Sequence, residues 1–374
     1  NCRNIWSKLW IFSRGYIHHL DFNGNPDKSI SNLEKIMSEP IDIKTKKIIP
    51  QIEQKFNKSF VLESLERNIL SNWDTWGKFQ QAWTSRAYKS FRDLDKYIVL
   101  IYLIKESWQK LADRFQYQTM DEFYDSEFVT IEKINLIQIS NELNIPKETI
   151  RRKVNELQSE GILRREGKSI VFNRKGIETQ KPDKSIDLLS SFVEKKSKMM
   201  EGQEWFGSSV SKQEIIGFTR KYFTIVWLRF FKLQIPFLTR HRNTFQDLET
   251  WIVWGNIALS HQYHLAKAAE KNLIQEPITI KSYFSNVTDV KIVRGINASS
   301  IADISNIPRA TVIRKLKWLV KQECIKKNKN LEYQMRSKGK LNKLINENFV
   351  TNQNVVAEFL TDIFDYMKNS NFKV

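Results

Sequence analysis

The chain of 374 residues contains little cysteine and glycine, and each scarcity excludes a class of protein. Its two cysteines, Cys2 and Cys324, cannot build a disulfide framework or a cysteine-rich metal site. The 12 glycines form no phosphate-binding loop, no dinucleotide-binding turn and no nucleophile elbow. We therefore expect neither enzymatic activity nor a bound cofactor.

Long apolar runs and metal-ligand clusters are also missing. The stretch Ile5–Phe12 is apolar but short, with Lys8 inside it, and no run approaches the ~18–20 residues of a membrane span. His261 and His264 lie one helical turn apart, but no third ligand accompanies them, and zinc needs three or four. We expect a cytoplasmic protein with no membrane partner and no metal.

Positive charge, in contrast, is abundant and clustered. The 60 Lys and Arg residues outnumber the 42 Asp and Glu residues, which gives a formal net charge of +18. Between Ser300 and Lys340, eleven basic residues stand against three acidic ones. A local excess of this kind indicates a polyanionic partner such as nucleic acid.

The rest of the chain is interpreted against the segment between residues 131 and 175. Asn144-Ile145 is expected to form a turn, and Pro146 suits the start of the next helix because it has no N–H to leave unbonded. That helix should run from Lys147 to about Glu160. The apolar residues that recur at helical spacing predict the buried side of a small helical unit: Ile134, Ile137, Leu143, Ile150, Val154 and Leu157.

The outward face of this helix is polar, and a hairpin follows it. Gly161 is expected to end the helix. Residues 162–165 and 169–172 then predict two short strands joined by a tight turn at 166–168. A helix with basic residues near its N-terminus, followed by a basic hairpin, is typical of a DNA recognition helix and its wing. The residues left pointing outward are Lys147, Glu148, Arg151, Arg152 and Asn155.

The segment resembles the winged helix-turn-helix of bacterial transcription regulators, in particular the Crp type and the MarR/GntR type. In those families the run Ser-Arg-Glu-Thr-Val-x-Arg-x-Leu opens the recognition helix, and here the matching run begins at Pro146. Pro146 departs from the usual Ser. The resemblance implies base-edge contacts from Lys147, Glu148 and Arg152 and a phosphate contact from Thr149.

A second copy of this segment occurs later in the chain. Ile301–Lys327 aligns without a gap on Ile139–Arg165, so that Asn144-Ile145-Pro146 returns as Asn306-Ile307-Pro308. The helical segments in front also match, and the duplicated unit is therefore a set of helices plus the winged helix. The matched residues are Trp73 with Trp227, Lys78 with Lys232, Gln80 with Gln234, Arg86 with Arg240, Phe91 with Phe245 and Asp93 with Asp247.

The two recognition helices are not identical. Glu148 is replaced by Ala310, and Arg151 is replaced by Ile313. Two such helices would bind unlike half-sites, so we expect an asymmetric operator and a covalent pseudo-dimer that is a monomer in solution. The residues predicted to contact DNA are Lys147, Glu148, Thr149, Arg151, Arg152, Asn155, Arg164, Arg165, Lys168, Arg309, Thr311, Arg314, Lys315, Lys326, Lys327 and Lys329.

These patterns predict a mainly α fold with small β-wings, in which two tandem helical plus winged helix-turn-helix units form a pseudo-dimer. Within the N-terminal part, Ser29–Glu39 and Lys44–Phe56 have the spacing of helices. The helices that follow each wing are expected to pack the two copies together, as the dimerisation helices of MarR-type regulators do. The expected domains are an N-terminal helical arm at 1–66, a first unit at 67–178 with its winged helix at about 131–175, a linker helix at 179–220, a second unit at 221–340 with its winged helix at about 296–338, and a C-terminal helix at 341–374.

Aromatic residues are concentrated in the helices before each winged helix. Stripes of large apolar residues usually belong to the core. The alternative is a pocket for a small-molecule effector, with Arg86 or Arg240 binding an anionic group. The first stripe consists of Trp73, Trp76, Phe79 and Trp83.

The function expected from these residues is transcriptional regulation through double-stranded DNA. Two alternatives remain open, since a fold does not fix a function. One is a replication initiator with tandem winged helices, which would bind an iterated origin array. The other is a protein-interaction scaffold built from winged helices, which would show no salt-dependent binding to DNA.

Overall fold

A computed structural model describes residues 47–52, 55–125, 128–131, 135–166, 169–173, 182–201, 208–271, 294–336 and 339–370. These residues fold mainly into helices, accompanied by a few short antiparallel strand pairs, which confirms the expected mainly α class. All of them belong to one unit, Lys47–Val374. The predicted helix at Ser29–Glu39 and the apolar stretch at Ile5–Phe12 lie outside the described residues.

The first part of the chain contributes three long helices and several short elements. Asn57 caps the first helix by accepting a hydrogen bond from the backbone N–H of Ser59, and Asp93 caps the third by accepting one from Lys96. The elements are β1 (Lys47–Ile48), α1 (Lys58–Arg67), α2 (Ile69–Phe91), α3 (Leu94–Asp113), β2 (Gln116–Tyr117), α4 (Met120–Asp125) and β3 (Phe128–Ile131).

Two short helices, a hairpin and a longer helix come next. They are α5 (Leu136–Leu143), α6 (Lys147–Ser159), β4 (Leu163–Glu166), β5 (Ser169–Asn173) and α7 (Pro182–Lys198). Strand β5 lies between β3 and β4 in an antiparallel sheet. The bounds of α6 agree with the predicted helix from Lys147 to about Glu160, and Gly161 follows it with a φ of 72°.

The second part of the chain repeats this order. Its elements are α8 (Lys212–Lys221), α9 (Phe223–Phe245), α10 (Leu248–Glu270), α11 (Ala298–Ser305), α12 (Arg309–Lys321), β6 (Ile325–Lys327), β7 (Tyr333–Met335) and α13 (Lys340–Asn369). An isolated bridge joins Ile296 to Tyr333 of β7, just as β3 pairs with β5 in the first part. The same chain direction and strand order therefore occur twice.

One predicted helix is wrong. The spacing at Lys44–Phe56 predicted a helix, but Lys47 and Ile48 form a strand that pairs with Tyr117 and Gln116. The pairing extends to Ile49, whose N–H donates to the carbonyl of Phe115. Two adjacent β-branched residues favour extended backbone here, and Pro50 lacks the N–H that a helix interior needs.

The repetition is visible in the backbone at the ends of helices. Arg92 and Gln246 both have positive φ, 54° and 69°, where α2 turns into α3 and α9 turns into α10. Asn144 and Asn306 likewise have positive φ, 49° and 59°, between the two short helices of each half. Asparagine tolerates this left-handed conformation better than most residues, which explains its use at both turns.

The two halves pack against each other reciprocally. Helix α2 of the first half contacts α10 of the second more extensively than it contacts α3, and α9 contacts α3 more extensively than it contacts α10. Helix α7, after the first hairpin, packs on α8 and α2, whereas α13, after the second hairpin, packs on α1 and α9. The helices that follow the hairpins thus join the two halves, as the sequence predicted.

Side-chain contacts between the two halves are reciprocal as well. Gln80 and Gln234, which are 154 residues apart, exchange two hydrogen bonds of 2.8 and 2.9 Å between their amide groups. Equivalent residues can meet in this way only near an axis that relates the two halves. The mirrored pairs around it are Trp76–Phe237 with Trp83–Phe230, and Asp95–Arg242 with Tyr88–Glu249.

The aromatic stripe belongs to the core. Trp73, Trp76, Phe79 and Trp83 are all at least nine-tenths buried. A cavity of about 20 Å³ near Gln80 has room for roughly one water molecule, which is too small for an effector. The core interpretation is therefore confirmed for this stripe.

Candidate nucleic-acid interface

Helix α6 is placed by a short, well-bonded turn after α5. Asn135 caps α5 by accepting hydrogen bonds from the N–H groups of Ile137 and Gln138. The hydroxyl of Ser140 donates to the carbonyl of Ile145 at 2.7 Å and fixes the turn. No side chain caps α6, since Pro146 occupies the N-cap position and has no side-chain hydrogen-bond acceptor.

A buried lysine fastens each of the two candidate recognition helices to the core. Lys153 of α6 contacts the carboxylate of Asp93 at 2.6 Å, and Lys315 of α12 contacts Asp247 at the matching position. Their side chains are only 7% and 12% exposed. Burial alone would lower the pKa of the Lys153 ammonium, but hydrogen bonds to Asp93 and Glu156 raise it above its ordinary value.

Lys315 was predicted to contact DNA, but the structure does not place it on the exposed face. Its ammonium faces Asp247 and lies 3.8 Å from Glu249, inside the junction between α12 and α10. The sequence offered a sign of this role, because an Arg-Lys pair and an Asp recur together in both copies. The lysine of that pair orients the helix, and the preceding arginine remains outside.

The outward face of α6 carries both charges. Lys147, Glu148, Arg151, Arg152 and Asn155 are exposed, as predicted, and Thr149 is half-buried. Arg151 forms an ion pair with Glu148, and the Nε atom of Arg152 lies 3.7 Å from a carboxylate oxygen of Glu156. The carboxylates therefore offset much of the positive charge on this face.

The outward face of α12 is different, because no acidic residue lies between Arg309 and Lys321. Arg314, Lys317 and Lys321 are exposed and follow one another at helical spacing on one side of the helix. Arg309 is exposed as well and donates a hydrogen bond to the hydroxyl of Ser299 at 3.1 Å. Thr311 is half-buried, like Thr149.

Lys317 and Lys321 were missed when the site was predicted from sequence. The spacing of Arg314, Lys317 and Lys321 by three and four residues was a signal that could have found them. The first copy does not guide the assignment, since Asn155 and Ser159 occupy the corresponding positions.

The two hairpins carry the remaining predicted residues. Arg164 of β4 bonds to Glu166 on the same strand, and Arg165 is exposed. Lys168 lies outside the described residues. Lys326 and Lys327 of β6 are exposed, as is Lys329 at the tip of the second hairpin.

None of the family models, the curated proteins or the solved structures is significantly similar to this chain.

Two other features are absent from the described residues. Within them, no group of three or more His, Cys, Asp and Glu side chains could hold a metal ion. None of the helices in the same ranges is long and apolar enough to cross a membrane.

Proposed function

We propose that the protein is a cytoplasmic transcriptional regulator that binds double-stranded DNA through two non-identical winged helix-turn-helix modules in one chain. In this proposal α5, α6 and the β4–β5 hairpin form the first module, and α11, α12 and the β6–β7 hairpin form the second. The observation that carries the proposal is the reciprocal packing around Gln80 and Gln234, which gives one chain two equivalently placed helices, α6 and α12, with exposed Arg and Lys side chains.

The proposed mechanism assigns separate tasks to the helices and the hairpins. The N-terminal residues of α6 and α12 enter successive major grooves, where side chains reach the base edges. Arg152 and Arg314 are exposed at equivalent positions, and each can form a bidentate contact with guanine. Arg165, Lys326 and Lys327 on the hairpins contact phosphates and set the register on the duplex.

Because the two helices differ, the operator is asymmetric. Glu148 can accept a hydrogen bond from the amino group of cytosine, whereas Ala310 at the same position can only contact the methyl group of thymine. The protein is a monomer in this proposal, since one chain already supplies both reading helices. The proposal includes no effector at the aromatic stripe, because these side chains are buried in the core and the cavity near Gln80 holds only about one water molecule.

The proposal is tested by binding and footprinting with the full chain. Affinity for random duplex DNA should fall steeply with salt, with a slope of roughly −0.9 in log K for each phosphate contact. Sedimentation should show a monomer. Footprinting should show that it protects about two helical turns of DNA, with half-sites ~34–36 Å apart. A flat salt response would remove the DNA function, and an obligate dimer would remove the pseudo-dimer.

Single substitutions test which residues contact bases. Arg152→Ala and Arg314→Ala should each weaken binding at one half-site, by about 1–3 kcal/mol, and leave binding to random DNA nearly unchanged. The double replacement Lys326→Ala with Lys327→Ala should weaken all sequences alike. If the two kinds of substitution had the same effect, α6 and α12 would not be reading helices.

Mapping genomic occupancy would distinguish promoters from an iterated replication origin.

A further inference from the structure

The tip of the second hairpin is held in one conformation by its own hydrogen bonds. The backbone N–H of Asn328 donates to the carbonyl of Glu332 at 2.9 Å, and that of Leu331 donates to the carbonyl of Asn328 at 3.2 Å. The side-chain oxygen of Asn328 accepts hydrogen bonds from the N–H groups of Asn330 and Glu332, at 3.0 and 2.9 Å. The tip is therefore well fixed, and Leu331 is part of it.

Leu331 has two unfavourable features, a strained backbone conformation and an exposed apolar side chain. Its φ is 61°, in the left-handed region, where the Cβ atom of an ordinary residue crowds the backbone. Its side chain is 64% exposed, so it contributes little to the core. A glycine or an asparagine would relieve the strain and avoid exposing a large apolar group. Neither folding nor solubility explains a leucine here, and strain of this kind often marks a functional contact.

The surroundings of Leu331 indicate the chemistry of its partner. Lys326, Lys327 and Lys329 are exposed on the same hairpin. The acidic group closest in sequence, Glu332, has its carboxylate bonded to the side-chain amide of Asn328 at 2.9 Å and to the N–H of Gly295 at 3.1 Å. The exposed side chain of Leu331 is therefore surrounded by lysine side chains. This arrangement suits a polyanion such as duplex nucleic acid, whose charged backbone encloses stacked bases.

Resting on the proposed function, we propose that Leu331 is an apolar wedge that enters the minor groove of duplex DNA and partly unstacks one base step. Minor-groove proteins that insert leucine or a similar side chain kink the duplex in this way. The first hairpin carries Glu166-Gly167-Lys168-Ser169 at its turn and has no large apolar residue there. The wedge therefore acts on one side of the pseudo-dimer, and the DNA is bent at one half-site.

The test measures bending and affinity on the same DNA. The probe is a random-sequence duplex of about 30 base pairs with a central TpA step, a type of step that kinks easily, labelled at both ends for energy transfer. The wild-type chain should bend it. Leu331→Ala and Leu331→Gly should bind with the same salt slope but leave the duplex straight, and affinity should fall by about tenfold, since one buried leucine is lost.

Control variants separate the wedge from the stability of the fold. Leu331→Gly removes the backbone strain, so its melting temperature should not fall, and its loss of bending cannot come from unfolding. Leu331→Met keeps an apolar side chain and should keep most of the bend. Leu344→Ala removes a leucine that is 48% exposed on α13 and should change nothing.

The outcomes distinguish the inference from the function on which it rests. Equal bending by the wild-type chain and by Leu331→Ala would overturn the wedge and leave DNA binding intact. If the wild-type chain showed no salt-dependent binding to DNA, the proposed function would fail and the wedge with it.

Discussion

Helices α6 and α12 occupy equivalent places in the two halves, but their outward faces differ in charge. On α6, Arg151 and Arg152 lie beside Glu148 and Glu156. On α12, no acid accompanies the exposed cations. The inward attachment is the same, because a lysine on each helix is ion-paired to the aspartate that caps the neighbouring long helix.

The difference teaches which positions the architecture requires. Two contacts that fix the architecture have the same residue type in both halves: Gln80 with Gln234 between the halves, and the lysine of each helix, Lys153 or Lys315, within its half. Several solvent-facing positions differ, and Ala310 replaces Glu148. A duplicated structure can therefore present two unlike surfaces on equivalent helices.

The largest expected effect concerns the uncompensated cations of α12. Replacing Arg314, Lys317 and Lys321 together by Gln should lower affinity for random duplex DNA by about 100-fold at low salt. The loss comes from Lys317 and Lys321, whose phosphate contacts and released counterions disappear, since Arg314 contacts a base. The slope of log K against log salt should flatten by roughly 2. Filter binding across a salt series measures both quantities.

The matched control removes the same charge elsewhere. Lys89, Lys195 and Lys343 are exposed on α2, α7 and α13, and their joint replacement by Gln changes the net charge equally. The control variant should lose much less affinity. An equal loss in both variants would mean that net charge, and not the face of α12, attracts DNA.

The next effect concerns the axis between the two halves. Gln80→Leu and Gln234→Leu should each cost about 2 kcal/mol of unfolding free energy, since each leaves one buried amide without its partner. The double variant should cost less than the sum of the two, because both amides are then gone. Urea unfolding measures all three. Clearly unequal single costs would show that the two glutamines do not lie in equivalent environments.

Much of this architecture could be predicted from the sequence, because local patterns determine it. The bounds of α6 followed from Pro146, Gly161 and the spacing of buried apolar residues. The turns at Asn144 and Asn306 followed from the repeated Asn-Ile-Pro, and the structure adds that both residues have positive φ. Signals that lie within a few residues of one another are the ones a sequence carries most openly.

The remaining features could not be predicted, because they depend on contacts between distant segments. Alignment pairs Gln80 with Gln234, but it does not say that their side chains meet. Lys315 was assigned to DNA from the pattern of its own helix, which does not show that its ammonium contacts Asp247, 68 residues away in the chain. The strand at Lys47–Ile48 forms against residues near Tyr117, and helical spacing alone concealed it. Each of these errors or omissions is an effect of tertiary contacts on local preference.

A smaller effect is a pH dependence of stability to which only the second half contributes through a histidine. Burial, with a smaller effect of Arg240, lowers the pKa of His241 to about 3, and the equivalent position in the first half is Ala87. The unfolded chain binds a proton near pH 6.5, while the folded chain does not, so this stability is complete at neutral pH. Below pH 6.5 the contribution of His241 to the unfolding free energy should fall by about 1.4 kcal/mol for each pH unit.

The histidine is tested by comparison with a variant that cannot titrate. His241→Asn keeps a side-chain N–H for the carbonyl of Phe237, to which the ring nitrogen lies at 2.8 Å. The unfolding free energies of wild type and variant should converge between pH 7 and pH 5. Taking the difference removes the contributions of Glu249 and Asp93, whose pKa values burial raises and ion pairing lowers, respectively. A constant difference across this range would contradict the prediction.

The smallest effect concerns the second residue after α6 and the second residue after α12. Gly161 in the first half has a φ of 72°, and Glu323 at the equivalent position has a φ of 56°. A Cβ atom at Gly161 would have no atom within 4 Å, so Gly161→Ala should cost about 1 kcal/mol through backbone strain alone. Glu323→Gly should instead add roughly 0.5–1 kcal/mol of stability, since it relieves the same strain and loses only an exposed ion pair with Arg336 at 3.5 Å. Glu323→Ala removes that ion pair but keeps the backbone strain, so its melting temperature should match that of the wild type. A Glu323→Gly variant less stable than the wild type would contradict the prediction, because this position would then require the glutamate side chain.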